Sequence, residues 1–338
     1  MRVSVGRSPG YCRPFPGVIA AVLAGAVLAW PGGPPAAGAA ATPIKIIYAQ
    51  ASAAFTPLWV AKDQGFFTKQ GLDVSFAQVT GSTAVATISS GESQALATGA
   101  TEVADFDAAG GDLVMIAAGS NYPVFSLYVN KNIGTIRELA GKKIAVTRTG
   151  TSTDTTARLI LEHYALAGKV DIIGSGGTLS GIMASMTAGI ASGGILSPPT
   201  TAQAEAAGFK ELVNGVKLGI PMVQTALAVR RSYIAANRET VLRILKGYLD
   251  AWAHDRDPAN APAVESVITH YTKASPEDAA IAYKAFLPVW QDKVPRVDGH
   301  GVQNNIRFSG NPQVRKMTPA MLIDDSLLQE LVRAGYVK

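Results

Sequence analysis

Three short turns rich in glycine and hydroxyls recur where an apolar, strand-like run gives way to a helical one. They are Thr80-Gly81-Ser82-Thr83, Thr98-Gly99-Ala100-Thr101 and Thr149-Gly150-Thr151-Ser152-Thr153-Asp154. Glycine lets a ligand come close to the backbone, and the free N–H groups of a helix start point outward beside the hydroxyls. That arrangement suits an anion or another polar group. Ordinary helix capping draws on the same residue types, so one turn alone says little; three in the same topological position say more. Asp154 runs against a simple anion cradle, because its carboxylate either caps its own helix or meets a cationic group. Phe55 and Tyr122, both on loops, are candidates for the apolar wall of a cleft, whereas Trp59 on a helix reads as core.

No other set of residues suggests chemistry. His163, His254, His270 and His300 stand singly, without metal-ligand spacing. There is no G-x-S-x-G elbow, Walker loop or dinucleotide fingerprint, and Gly174-Ser175-Gly176-Gly177 leads into none of them. Asp105 and Asp107 cannot be told from solvated loop charges. The expectation is a binding protein and not an enzyme, with no catalytic residue, metal or cofactor. A secreted hydrolase using Ser152 is the weaker alternative from another class.

The turns must be held by the elements around them. From Ile44 the sequence alternates short apolar runs with helical segments. Strands are expected at Ile44–Ala49, Leu72–Gln78, Ala95–Ala97 and Leu113–Ala118, with helices at Pro57–Gln64, Ser82–Ser90 and Glu102–Ala109 between them. A second series follows the β-prone stretch Val124–Asn130. Its strands are Ile144–Val146, Val170–Ile173 and Gly194–Leu196, and its helices Ser152–Ala167, Leu179–Ala188 and Thr201–Ala207. Such alternation implies βαβ units on parallel sheets, with the turns at the strands' carboxyl ends, where ligands bind in open sheets. After a further strand at Thr225–Val229 the chain becomes helical, at Thr240–His254, Pro276–Phe286 and Met321–Ala334. The fold class expected is α/β with two lobes. Residues 42–126 begin the first, 127–225 form the second, and 226–338 return to the first, with crossings near Phe125–Asn130 and Gln224–Val229.

The N-terminus bears on location. Arg2, Arg7 and Arg13, the apolar run Val18–Trp30 and the small residues Ala36–Ala41 have the layout of a secretory signal peptide over 1–41, cleaved near Ala39–Ala41. The apolar run is shorter than the roughly 20 residues a membrane helix needs. The only cysteine, Cys12, precedes that run, so no lipidation and no thiol in the mature chain are expected. Removing the leader's three arginines from 30 Lys and Arg leaves 27 against 25 Asp and Glu, a net charge of +2. Neither a basic stripe nor interleaved aromatics suggest nucleic acid.

The run Pro57-Leu58-Trp59-Val60-Ala61-Lys62-Asp63-Gln64-Gly65-Phe66-Phe67, followed by Gly71-Leu72-Asp73-Val74, resembles the opening of nitrate/sulfonate/taurine-type solute-binding proteins and their thiamine-pyrimidine-related cousins. Ser90-Gly91-Glu92, Leu139 to Val146, and Pro198 with Ala206-Ala207-Gly208-Phe209 extend the likeness, in the family's order, over most of the mature chain. The resemblance implies a type II periplasmic-binding fold, two lobes joined by two crossover strands with the ligand between them. Export without a lipid anchor points to the periplasm, and a monomer is expected. The resemblance also implies the membrane subunits of an ABC importer as partner. By position it places the site at the loop Gln50 to Phe55 (Gln50, Ser52 and Phe55), at Gly81-Ser82, Thr98-Gly99-Ala100, Gly150-Thr151-Ser152-Thr153-Asp154 and Ser197-Pro198. The expected ligand is a small organic anion of the sulfonate, nitrate or carboxylate class. The alternative is a pyrimidine, thiamine precursor or other heterocycle, held by Asp154 and stacked on Tyr122. A related branch makes thiamine pyrimidine with a cysteine-rich motif, which a mature chain without cysteine does not share.

Overall fold

The computed structural model describes residues 40–337. The signal-peptide expectation and Cys12 fall on residues 1–39, outside the described residues. Two five-stranded sheets organise the rest. The first is built from β1 (Thr42–Tyr48), β2 (Leu72–Gln78), β3 (Ala95–Thr98), β4 (Leu113–Ser120) and, from far along the chain, β10 (Thr225–Arg230), in the order β2-β1-β3-β10-β4. The second holds β5 (Ser126–Asn130), β6 (Lys143–Val146), β7 (Asp171–Gly174), β8 (Gly193–Leu196) and β9 (Phe209–Asn214), in the order β7-β6-β8-β5-β9.

The sheets are not wholly parallel, which corrects the simplest reading of the alternation. β10 runs antiparallel to β3 and β4, and β5 antiparallel to β8 and β9. In each sheet the reversed strand is the one that arrives from the other lobe. Asn121–Phe125 carries the chain from β4 to β5, and residues 215–224 bring it back from β9 to β10. These passages lie a few residues before the stretches expected. They run side by side: Met222 N donates to Asn121 O at 3.0 Å and Gln224 N to Ser120 O at 2.9 Å.

Strands covered on both faces read as continuous apolar runs, and β1 shows why. Ile44, Ile46 and Tyr48 pack into one core with Trp59 and Trp252, while Ile47 faces a second core with Val103 and Ile306. Trp59 is fully buried and stacks on Tyr271 at 4.7 Å. The helix from Ser152 stops at His163, short of the expected Ala167, because Ala165 turns left-handed and Leu166 N closes onto Leu161 O. The expected helix Met321–Ala334 is broken, since Ile323 leaves it to bridge Met115 of β4 and Asp324 N donates to Met115 O. The helix Gly299–Phe308, unforeseen from sequence, packs Val302 and Ile306 into the first lobe and Phe308 into the second.

One buried acid in this scaffold sets a pH dependence. Asp255 is fully buried, its carboxylate oxygens lack hydrogen bonds among the described residues, and His254 Nδ1 stands 3.5 Å away. Burial pushes its carboxyl from 3.8 to about 6. A carboxyl raised on folding contributes stability below its unfolded pKa, and that contribution is lost as pH rises through the folded value. The loss approaches about 3 kcal/mol above pH 6 by proton linkage. Asp255→Asn is expected to remove this slope. The variant should gain several degrees in melting temperature relative to wild type between pH 4 and pH 8, and parallel curves would refute the assignment.

Candidate ligand cleft

Where the lobes meet, the carboxyl ends of β1, β2 and β3 face the loop after β6 across a cavity of about 320 Å³. Phe55, Phe106, Phe125 and Leu96 give it apolar walls, and all four are more than nine-tenths buried. Of the residues expected at the site, Gln50, Phe55, Gly81, Thr98, Gly99 and the run Gly150 to Thr153 line it. Ser52, Ser82, Ala100, Tyr122, Asp154, Ser197 and Pro198 are not among the lining residues. Ser52 and Ser197 instead meet each other across the lobes, fully buried, with their hydroxyls 3.2 Å apart. Ser82 is exposed, and Tyr122 is 37% exposed.

The three turns do different things. The first opens the helix Gly81–Ser89, where Thr80 makes no side-chain cap and Gly81 has φ +62°. Arg148, from the loop after β6, reaches over it: a β-carbon placed on Gly81 would lie 2.6 Å from Arg148 Nη1. The same guanidinium borders Gly177, with Nε 3.3 Å from the corresponding position there. Arg148 is half-buried and joins none of the ion pairs among the described residues. A cation at the positive end of a helix is unfavourable unless an anion lies between them.

The third turn, which starts the helix Ser152–His163, has its donors in use. Thr147 Oγ1 lies 2.9 Å from Thr151 Oγ1 and 2.8 Å from Thr153 Oγ1, so these hydroxyls satisfy one another. Asp154 neither caps its own helix nor faces the cavity. It is fully buried, accepting from Gly150 N at 2.9 Å and from Arg158 Nε at 3.1 Å. At the helix start itself, Ser152 N and Oγ donate to Glu102 at 2.9 and 2.8 Å.

Glu102 belongs to the second turn's helix, Ala100–Ala108, in the other lobe. Its carboxylate therefore takes the place at the Ser152 helix start that sequence reasoning held open for a ligand's anion. Burial raises its pKa, and the two bonds from Ser152 only partly offset that. Asp105, one turn further on, also lines the cavity, accepts from Asn311 Nδ2 at 2.8 Å and is raised by burial. Gly99 is required where the helices touch. A β-carbon on it would come within 1.8 Å of Ser152 Oγ and 2.5 Å of Glu102 Oε2. Thr101 and Thr155, with hydroxyls 3.0 Å apart, continue the contact.

Arg148, Glu102, Asp105 and Gln224 are among the cavity residues that sequence reasoning missed. Arg148 alone carried a signal, as the one cation beside a hydroxyl-rich turn at a strand's carboxyl end.

The architecture, with two crossovers and a reversed strand in each sheet, is the periplasmic-binding-protein fold. The family model described as NMT1/THI5 like matches residues 52–261. The chain belongs to that family. No curated protein sequence matches it. Among solved structures it is similar to the ligand-binding component of an ABC-type import system from Staphylococcus aureus, with zinc bound. That match has 13% identity and a TM-score of 0.72, covering 86% of this chain and 98% of the other. The periplasmic nitrate-binding protein NrtA from Synechocystis PCC 6803 matches with 15% identity and a TM-score of 0.72, over 88% and 91% of the two chains. A mutant of DSZB in complex with biphenyl-2-sulfinic acid matches with 14% identity and a TM-score of 0.62, over 87% and 99%.

Proposed function

We propose that the protein is the periplasmic solute-binding component of an ABC importer and closes its lobes, divided near residues 126 and 225, on a small organic anion. The observation that carries the ligand class is Arg148, a guanidinium without an ion-pair partner among the described residues, set against the uncapped start of the Gly81 helix in a cavity with phenylalanine walls. A carboxylate or sulfonate that meets the guanidinium beside the helix start satisfies both, and the three phenylalanines receive the ligand's apolar body. Closure follows because Arg148 and the Gly81 helix stand on different lobes, so only the closed state offers both contacts. Family membership, the sequence resemblance and the likeness to the Staphylococcus aureus import component support the importer, which would receive a monomer in the periplasm. The nitrate of NrtA and the aromatic sulfinic acid bound to DSZB agree with an anion.

We propose no reaction. Ser152, the hydroxyl a hydrolase would use, donates to a carboxylate and has no histidine beside it among the described residues' hydrogen bonds.

A second reading, a cationic or neutral heterocycle, draws on Glu102 and Asp105, since Asp154 and Tyr122 lie outside the cavity lining. Thermal-shift assays with nitrate, alkane- and arenesulfonates, carboxylates, pyrimidines and amines separate the two. The anion reading expects stabilisation by organic anions, with a more compact scattering envelope. Stabilisation by pyrimidines or amines alone would overturn it.

A further inference from the structure

The lining of the cavity divides by exposure. Gly81, Val85, Ala109 and Thr149 are exposed and mark its mouth, whereas Phe55, Leu96, Phe125 and Thr225 are each more than nine-tenths buried. Most of the buried set belongs to the hinge. Phe125 ends the crossover from β4 to β5, and Thr225 opens β10 where the second crossover arrives. Thr225 Oγ1 donates to Ala54 O, next to Phe55. The crossovers therefore close the back of the cavity, and the loops of the two lobes leave its front open.

Arg148 is the one Lys, Arg or His in this lining among the described residues, and it stands at the front. Its guanidinium reaches from the loop after β6 to exposed Gly81 on the other lobe, with Gly177 of its own lobe alongside. The back wall offers two phenylalanine rings and no cation.

We propose that the ligand binds apolar end first: its hydrocarbon body fills the closed back of the cavity, and its single anionic group stays at the mouth on Arg148. This deepens the anion reading given above and rests on it. The ligand class is then a monoanion with a compact apolar end, such as an arenecarboxylate. A small inorganic anion would reach Arg148 but leave the back wall unfilled, and an ion pair open to solvent contributes little by itself. A dianion charged at both ends fails for the opposite reason. Its second charge would be buried beside Phe55 and Phe125 without a cation, in a cavity that Glu102 and Asp105 also line.

A size limit follows. An apolar cavity of about 150 Å³ takes up one benzene, so a cavity of about 320 Å³ holds two rings and not three. With the charge outermost, growth at the far end of the ligand runs into the back wall. With the charge innermost, the same growth would pass out between Val85 and Ala109 without penalty.

The test is calorimetric titration of the full mature chain with nitrate, acetate, 4-methylbenzoate, terephthalate and terphenyl-4-carboxylate. Wild type should bind 4-methylbenzoate at least tenfold more tightly than each of the others. Phe55→Ala, which opens a ring's width at the back, should bind terphenyl-4-carboxylate at least fivefold more tightly than wild type does and 4-methylbenzoate more weakly. Terephthalate or the terphenyl compound binding wild type as tightly as 4-methylbenzoate would overturn the proposal. So would nitrate or acetate matching it, or a folded Phe55→Ala chain that gains nothing for the terphenyl compound. The wild-type ranking stands as a test even if the variant fails to fold. If 4-methylbenzoate does not bind while other organic anions do, the orientation falls and the anion reading survives. If no organic anion binds, the anion reading itself has failed.

Discussion

Arg148→Met is expected to weaken binding of an organic anion by roughly 30- to 150-fold, the equivalent of about 2–3 kcal/mol for losing one member of a charge-assisted pair in a half-buried site. The lower part of the range quoted for buried charge pairs applies because solvent reaches the guanidinium. Methionine keeps an apolar stem and removes the guanidinium that lies over Gly81, with its charge and donors. The fold should be indifferent to the change, since Arg148 joins no ion pair among the described residues, and the melting temperature without ligand should move by less than a degree or two. Arg148→Lys tests geometry separately from charge. An ammonium cannot offer the parallel donors that match a carboxylate or sulfonate, so partial recovery is expected. Calorimetric titration together with thermal unfolding measures both sides. A variant that binds the same anions with unchanged affinity removes the basis for the ligand class.

How much of this could be read beforehand differs by residue. Most strands of both lobes were legible because strands covered on both faces show as apolar runs, as in Leu113–Ala118, whereas β9 and the helices Ala261–Thr272 and Gly299–Phe308 were not. The reversal of β5 and β10 was not. Strand direction depends on which lobe the chain comes from, and a local pattern such as Thr225–Val229 is the same in either direction. The turns were legible as helix starts, but their chemistry was not. Glu102 looks like any acid in the first turn of a helix, where acids are favoured by the helix's own dipole. Only the packing of the two lobes shows that it serves a different helix. Asp154 invited a ligand role for the opposite reason: its partners, Gly150 N and Arg158 Nε, are local, yet a folded loop was needed to show that they use it up. Gln224 left no trace in the pattern, since a glutamine before a strand reads as a loop residue until its burial is known.

Glu102→Ala is expected to open the protein in the absence of ligand. The bonds from Ser152 N and Oγ cross from one lobe to the other, and hydrogen bonds to a charged group contribute about 1.5–3 kcal/mol each in a typical setting. Desolvation is large here, because the carboxyl's pKa is raised despite both bonds. The ionised latch is therefore weak, which leaves closure near balance and lets a ligand tip it. The sign with pH follows. Exposed in an open state, the carboxyl titrates near 4.5; in the closed state it holds its proton more tightly. The closed state thus gains most below about pH 4.5, and the gain fades as pH rises through the raised value. Scattering profiles of the ligand-free wild type should be most compact at acid pH and expand towards pH 8, whereas Glu102→Ala should be expanded and less sensitive across that range, Asp105 remaining as a raised carboxyl in the cavity. Removing the carboxylate also frees the N–H groups at the Ser152 helix start, so sulfate should compact the variant and leave wild type unchanged. A variant as compact as wild type at both pH values would show that Glu102 fills space between the lobes without holding them together.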